Sequence, residues 1–254
     1  RKRTEEREGE GADEGGAGRL FRPCLVVLTD LCQNGDLFDR AMRSRPLTEE
    51  EALGITMGLL SALVHIHDRG IVHRDVQPKN VLLGSGGRPV LADFGLAARL
   101  EDAEAMRARV GSLGYVAPEV LKGLPYCKRV DVFGTGTVLF YSLFAAAPFD
   151  PARTAPAEAV IRRTLRCEVQ FPPRRAASAH MQQFIRILLA HDPEDRPSAR
   201  GAADLTRTLH LAAYGGGAGI AAEVHAWEEA PPGHSSAFET EDTQRPPPPA
   251  SPPP

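Results

Sequence analysis

A mainly helical α+β fold is what this sequence predicts, and three observations carry the prediction. Ile55, Leu59, Leu63 and Ile66 recur at helical spacing; the run 131–144 is apolar almost throughout; and the β-rich runs are short, with Val81-Leu82-Leu83 and Val90-Leu91-Ala92 set around a Gly-rich turn. With 254 residues, 42% of them apolar, the chain is long enough for one or two cores, and its abundant Gly and Pro point to unstructured ends. One folded unit with tails is expected.

In chain order, residues 1–19 are charged and Gly-rich and bury too little apolar surface to offset ordering entropy, so they are expected to be disordered. Leu25-Val26-Val27-Leu28 reads as a strand ending near Asp30, followed by a turn at Gln33-Asn34-Gly35-Asp36 and a short helical segment, Leu37 to Arg40. Thr48 with Glu51 forms a capping box that opens a helix running until Gly70. The turn at Gly84 to Gly87 makes a hairpin that brings Asn80 and Asp93 to its two ends. Helices follow over 131–144, 157–165, 179–190 and 198–212. Beyond them Gly215-Gly216-Gly217 leads to Arg245-Pro246-Pro247-Pro248-Pro249, which favours polyproline II. A solvated tail outweighs a peptide for a proline-motif-reading partner there. The expected organisation is 1–19 disordered, 20–212 folded and 213–254 a Gly/Pro-rich tail.

Thirty-three acidic against thirty basic residues leave a net charge of −3, so no bulk attraction to nucleic acid or to anionic membrane is expected. Cys24, Cys32, Cys127 and Cys167 lack C-x-x-C spacing, which argues against zinc and against a secreted disulfide framework; reduced thiols and a cytoplasmic address are the default. No apolar run reaches the length of a membrane span, and Arg1-Lys2-Arg3 leads into acidic sequence instead of a signal peptide's apolar core. The missing initiator Met suggests a fragment.

Three motifs stand in fixed order: His73-Arg74-Asp75-Val76-Gln77-Pro78-Lys79-Asn80, Ala92-Asp93-Phe94-Gly95 and Ala117-Pro118-Glu119. They supply a carboxylate at Asp75 to orient a hydroxyl, and hard oxygen ligands for Mg2+ at Asn80 and Asp93, a set suited to phosphoryl transfer from ATP. Each string alone is as easily a surface turn. Together, from about Leu25 to about Leu211, the sequence resembles the large lobe of the eukaryotic protein kinases, serine/threonine in type and closest in look to calcium/calmodulin-dependent kinase relatives.

The resemblance implies a kinase-like fold, mainly the α-helical large lobe with a truncated small lobe, that uses ATP and Mg2+ on a protein substrate. Asp75 matches the catalytic carboxylate, and His73 a structural histidine packing on Phe94 with backbone support from Asp131. Glu119 and Arg196 match a buried ion pair. Leu28 to Cys32 matches the hinge, with Thr29 at the gatekeeper position and backbone groups of Asp30 and Cys32 facing adenine. Asp36 is placed to contact ribose and Leu82 to floor the adenine pocket, although a leucine there is equally a plain core residue.

Departures from the family pattern carry their own expectations. Gln77 stands where these kinases usually have a lysine, so a positive charge is missing beside Asp75 and a slower reaction is expected, while Pro78 keeps the serine/threonine pattern. No Gly-rich phosphate loop, strand lysine or helix glutamate is identifiable; Gly9, Gly11, Gly15, Gly16 and Gly18 have no flanking apolar strand and read as linker. The chain as given is expected to bind ATP poorly and to expose a face that a missing lobe would cover. Ser112 and Tyr115 are the only hydroxyls between Gly95 and Ala117, so no mid-loop phosphosite is expected, and Arg74 is expected to meet Glu101, Asp102 or Glu104, or to remain solvated. Lys79 and Tyr141 occupy places where kinases preferring basic substrates often carry glutamates. After Ala212 no basic amphipathic stretch suggests a calmodulin target. Two function classes stand: a kinase using Asp75, Gln77, Asn80 and Asp93, and a pseudokinase or scaffolding module, which Gln77 and the missing lysine favour.

Overall fold

The computed structural model describes residues 29–173 and 177–215. The chain divides into two units, 1–31 and 32–254, and every element below belongs to the second. The expected strand at Leu25 to Leu28 and most of both tails lie outside the described residues.

α1 (Leu37–Arg43) starts where Asp36 Oδ1 accepts the Asp39 N–H at 2.8 Å, a side-chain cap for an otherwise orphaned donor. α2 (Glu49–His67) opens on the expected capping box, with Glu51 N–H to Thr48 Oγ1 at 3.2 Å and Thr48 N–H to Glu51 Oε2 at 2.8 Å. The chain reverses beyond α2 at Gly70, whose φ of +69° suits glycine. β1 (Ile71–Val72) and, after the site loops, β4 (Ala98–Arg99) pair antiparallel, Ile71 opposite Arg99. Between them β2 (Val81–Leu83) and β3 (Pro89–Leu91) form the expected hairpin, Val81 opposite Leu91 and Leu83 opposite Pro89. The second strand is thus 89–91 instead of 90–92: Pro89 cannot donate to a ladder, yet fits as the strand's first residue.

α3 (Pro118–Lys122) was not expected; Pro118 begins it and Gly123, at φ +67°, ends it in a left-handed cap. α4 (Arg129–Phe144) begins two residues before the expected Asp131, and every residue from Val130 to Leu143 is buried. An apolar run without a polar face is what a central helix requires. Gly134 and Gly136 allow its close approaches, since a Cβ would lie 2.7 Å from Val76 O at the first and 2.9 Å from Leu188 Cβ at the second. α5 (Ala157–Leu165) matches its expected bounds; α6 (Ala179–Leu188) stops two residues early and α7 (Ala199–Tyr214) runs two residues long. Ser178 and Ser198 cap α6 and α7.

α2 packs on α4 and α7, and α6 on α4, closing one core around Leu53, Leu60, Leu63, Phe133, Phe140 and Ile185. Each such buried side chain contributes about 1.5 to 3 kcal/mol. The two small sheets and the loops between them sit at the α2–α4 end of this core and carry the polar residues singled out by the sequence. Among the described residues no helix is long and apolar enough to cross a membrane, and Cys32, Cys127 and Cys167 are free thiols.

Candidate active site

Asp131, 1% exposed in the first turn of α4, organises the loop between β1 and β2. Its Oδ2 accepts the His73 N–H at 2.9 Å and His67 Nε2–H at 2.8 Å, and its Oδ1 accepts the Arg74 N–H at 2.8 Å. Three donors on one buried carboxylate hold Arg74 in a left-handed backbone conformation, φ +68°. His73 is buried, edge-on to Phe94 with ring centres 4.9 Å apart. Its Nε2 lies 3.0 Å from Ala92 O, a carbonyl that can only accept, so Nε2 carries the proton and Nδ1 accepts the Asp75 N–H at 3.3 Å. The histidine is thereby committed to architecture.

Asp75 faces four donors. Its Oδ2 receives Gln77 Nε2 at 2.8 Å and Asn80 Nδ2 at 2.9 Å; its Oδ1 receives the Ser112 N–H at 3.2 Å and the Ser112 hydroxyl at 3.1 Å. Gln77 Nε2 also reaches Ser112 Oγ at 2.8 Å, so its amide bridges the two. The approach of residue 112 depends on Gly111, at φ +102°, where a Cβ would stand 3.0 Å from Arg74 O. Sequence reasoning noted Ser112 as one of two hydroxyls between Gly95 and Ala117 and missed its bond to Asp75.

Asn80 sits at the end of a 3-10 turn, Pro78–Asn80, with its Nδ2 donating to both Asp75 O and Asp75 Oδ2 at 2.9 Å. That fixes the amide and leaves Oδ1 as its free oxygen. Ala92 donates its N–H to Asn80 O at 2.8 Å, so the hairpin joins the backbone of Asn80 to the residue preceding Asp93. Asp93 is exposed at φ +59°, and its Oδ1 accepts the Gly95 N–H at 3.1 Å. A Cβ at Gly95 would lie 3.0 Å from that oxygen. An amide oxygen and a carboxylate are hard donors that fit a magnesium ion better than a thiol-seeking metal.

Residues 22–206 match the model of the protein kinase domain. The chain belongs to the protein kinase family. Its relatives include a probable myosin light chain kinase of Dictyostelium discoideum, 35% identical over 176 residues, which are 68% of this chain and 36% of that protein. Calcium/calmodulin-dependent protein kinase type 1 of Macrobrachium nipponense is 35% identical over 186 residues, 71% of this chain and 53% of that one. The phosphorylase b kinase gamma catalytic chain, liver/testis isoform, of Homo sapiens is 34% identical over 186 residues, 70% and 45% respectively. This kinase chain spans between 25% and 53% of the first such relatives' lengths.

The kinase fold places the other expected residues as follows. Arg196 forks onto Glu119, Nη1 to Oε1 at 2.6 Å and Nη2 to Oε2 at 2.8 Å, with its Nε on Ala190 O and its guanidinium over Phe133. Both residues are buried, so losing one partner would cost about 3 to 5 kcal/mol. Arg74 corrects the expectation: it meets neither solvent alone nor Glu101, Asp102 or Glu104, but Leu96 O and Ala105 O at 2.6 Å each, with Tyr126 Oη at 3.3 Å. Carbonyls of the segment between Gly95 and Ala117 satisfy the guanidinium without a phosphate. Tyr126, which no sequence signal marked, sits between Ala105 O and Ala108 O at 2.8 and 2.9 Å.

Asp30 is exposed and belongs to the first unit. Cys32 is half-buried, and its carbonyl accepts the Gly35 N–H at 3.3 Å. Asp36 forms a bridge with Leu82, and one of its oxygens is already spent capping α1. Leu82 is half-exposed between buried Val81 and Leu83, which puts it on the face of the hairpin away from the core and argues against the plain-core reading.

Proposed function

We propose that this kinase domain transfers the γ-phosphoryl group of ATP to a serine or threonine hydroxyl of a protein, with Asp75 orienting the acceptor and taking its proton. The observation that carries the reading is the Ser112 hydroxyl lying 3.1 Å from Asp75 Oδ1 while Gln77 and Asn80 hold Oδ2. An acceptor alcohol can take the place of the Ser112 hydroxyl while the Gln77 and Asn80 amides keep their bonds to Oδ2. In the reaction the acceptor oxygen bonds to the γ-phosphorus, and the bond from that phosphorus to the bridging oxygen breaks. ADP leaves with the electron pair, and the acceptor proton passes to Asp75.

Gln77 contributes an N–H donor but no charge, so transfer should be on the order of a hundredfold slower than with lysine there. Asn80 Oδ1 and the Asp93 carboxylate would hold Mg2+, which neutralises phosphate charge when bound. Within the second unit, backbone groups of Cys32 serve adenine, Asp36 the ribose with its remaining oxygen, and Leu82 floors the pocket. The catalytic unit spans 20–212 in the cytoplasm, flanked by 1–19 and 213–254, the latter a solvated tail in preference to a peptide for a proline-motif-reading partner.

The test is transfer of labelled phosphate from ATP to a generic protein substrate by the protein carrying this chain, beside its Asp93→Asn variant. A signal that falls at least about a hundredfold in the variant supports the reading; equal signal from both removes it. The neutral amide of Gln77 favours one other reading, a binding module, which would be adopted if ATP binds and no phosphate moves.

A further inference from the structure

We propose that Lys79 and Arg153, lying over the rings of Phe38 and Tyr141 beside the Asp75 loop, form a subsite for an acidic side chain of the protein substrate; the proposal rests on the phosphoryl-transfer reading above. Lys79 Nζ lies 5.1 Å from the centre of the Phe38 ring, and Arg153 Cζ lies 5.4 Å from the same ring and 5.9 Å from Tyr141. Phe38 and Tyr141 are themselves stacked at 5.2 Å. Two cations thus share one aromatic platform, held there by ring quadrupoles and, for Arg153, by Nη2 donating to Tyr141 Oη at 2.9 Å.

Among the described residues neither cation has a carboxylate within ion-pair distance. Both are exposed. The carboxylates nearest in the chain are otherwise engaged: Asp75 receives four donors, Asp150 accepts the Thr154 and Ala155 N–H groups, and, beside Phe38, Asp36 caps α1 and Asp39 pairs with Arg43 at 2.8 Å. Like charges gathered without a counterion leave a site electrostatically incomplete, and a planar guanidinium beside an ammonium suits a carboxylate.

The cluster borders the site on two sides. Lys79 precedes Asn80, whose amide binds Asp75. Tyr115 lines a small cavity with Asp75 and Ser112, and it lies close enough to Tyr141 and Arg153 to feel both; burial, reinforced by Tyr141 and opposed by Arg153, pushes its phenol up to about 12. A peptide presenting a hydroxyl to Asp75 therefore passes these cations. An arginine beside the acceptor would meet like charge at these two cations, whereas an aspartate or glutamate would complete the group.

The test measures fluorescence anisotropy of serine peptides flanked by aspartates, arginines or phosphoserines, with the full chain and with a Lys79→Glu/Arg153→Glu variant. We expect the aspartate peptide to bind about five- to tenfold tighter than the arginine peptide, the size of two exposed ion pairs. The preference should shrink at about 0.5 M salt, as screening requires, and reverse in the variant. Equal binding of both peptides, or a preference that survives in the variant, overturns the proposal. Phosphoserine binding more than about tenfold tighter than aspartate would overturn the carboxylate assignment and give the subsite to phosphate. Labelled-phosphate transfer to the same peptides separates the two readings: selective binding without transfer sinks the kinase chemistry and keeps the subsite, and transfer without selectivity does the reverse.

Discussion

The stretches 73–80 and 93–95 supply the acidic groups of one site and are built in opposite ways. In the first, a buried aspartate from α4 takes two backbone N–H groups and a histidine, and the Asp75 carboxylate is met by four donors. In the second, Asp93 and Phe94 are exposed, and the Asp93 carboxylate receives one bond, from Gly95. On the proposed phosphoryl-transfer reading, the contrast teaches that folding fixes where the acceptor hydroxyl must come, whereas the phosphate side is left for ligands to complete. The hydrogen bonding is densest around Asp75 and sparsest around Asp93.

The largest effect should come from breaking the held stretch at its base. Asp131→Ala orphans three donors, two of them buried, and should destabilise the domain by at least about 3 kcal/mol in urea unfolding. A smaller intrusion is Gly134→Ala, whose Cβ would collide with Val76 O at 2.7 Å; we expect about 1 to 3 kcal/mol of destabilisation. Away from the site, Thr48→Ala removes half the capping box of α2 and should cost about 1 kcal/mol.

The same cap sharpens a pH prediction. Hydrogen bonds from Arg45 hold the Glu51 carboxyl down to about 2, below its ordinary 4.5. A depressed folded value stabilises above the unfolded one and is lost as pH falls, so this contribution should fade between about pH 4.5 and 2 and be missing in Glu51→Gln. Because the pair is exposed, the loss should stay within about 1 kcal/mol. The smallest stability change belongs to the open stretch: Asp93→Asn should shift unfolding by less than about 0.5 kcal/mol. A larger loss there would erase the contrast between the two stretches.

Much of this was legible in the residues. Thr48 and Glu51 announced a helix start because a capping box is local chemistry, and the apolar run through Phe133 and Phe140 announced a helix with no wet face. The hairpin joining Asn80 to Asp93 followed from a Gly-rich turn between two apolar runs. Less local features were hidden. The pairing of Ile71 with Arg99 joins two-residue strands 28 positions apart, too short to leave a pattern. Arg74 was assigned to acidic neighbours because charge is visible in sequence and carbonyl positions are not; Leu96 O and Ala105 O emerge only once the segment has folded. Ser112 came to Asp75 through a positive-φ glycine, a clue that sequence offers without a destination.

The central claim is that Asp75 positions the acceptor and receives its proton. Single-turnover phosphate transfer at saturating ATP, measured for the unaltered protein and for Asp75→Asn alongside ATP affinity, tests it most directly. The account predicts a rate lower by at least about a hundredfold with ATP affinity within about threefold. A variant that transfers phosphate at the original rate would contradict it.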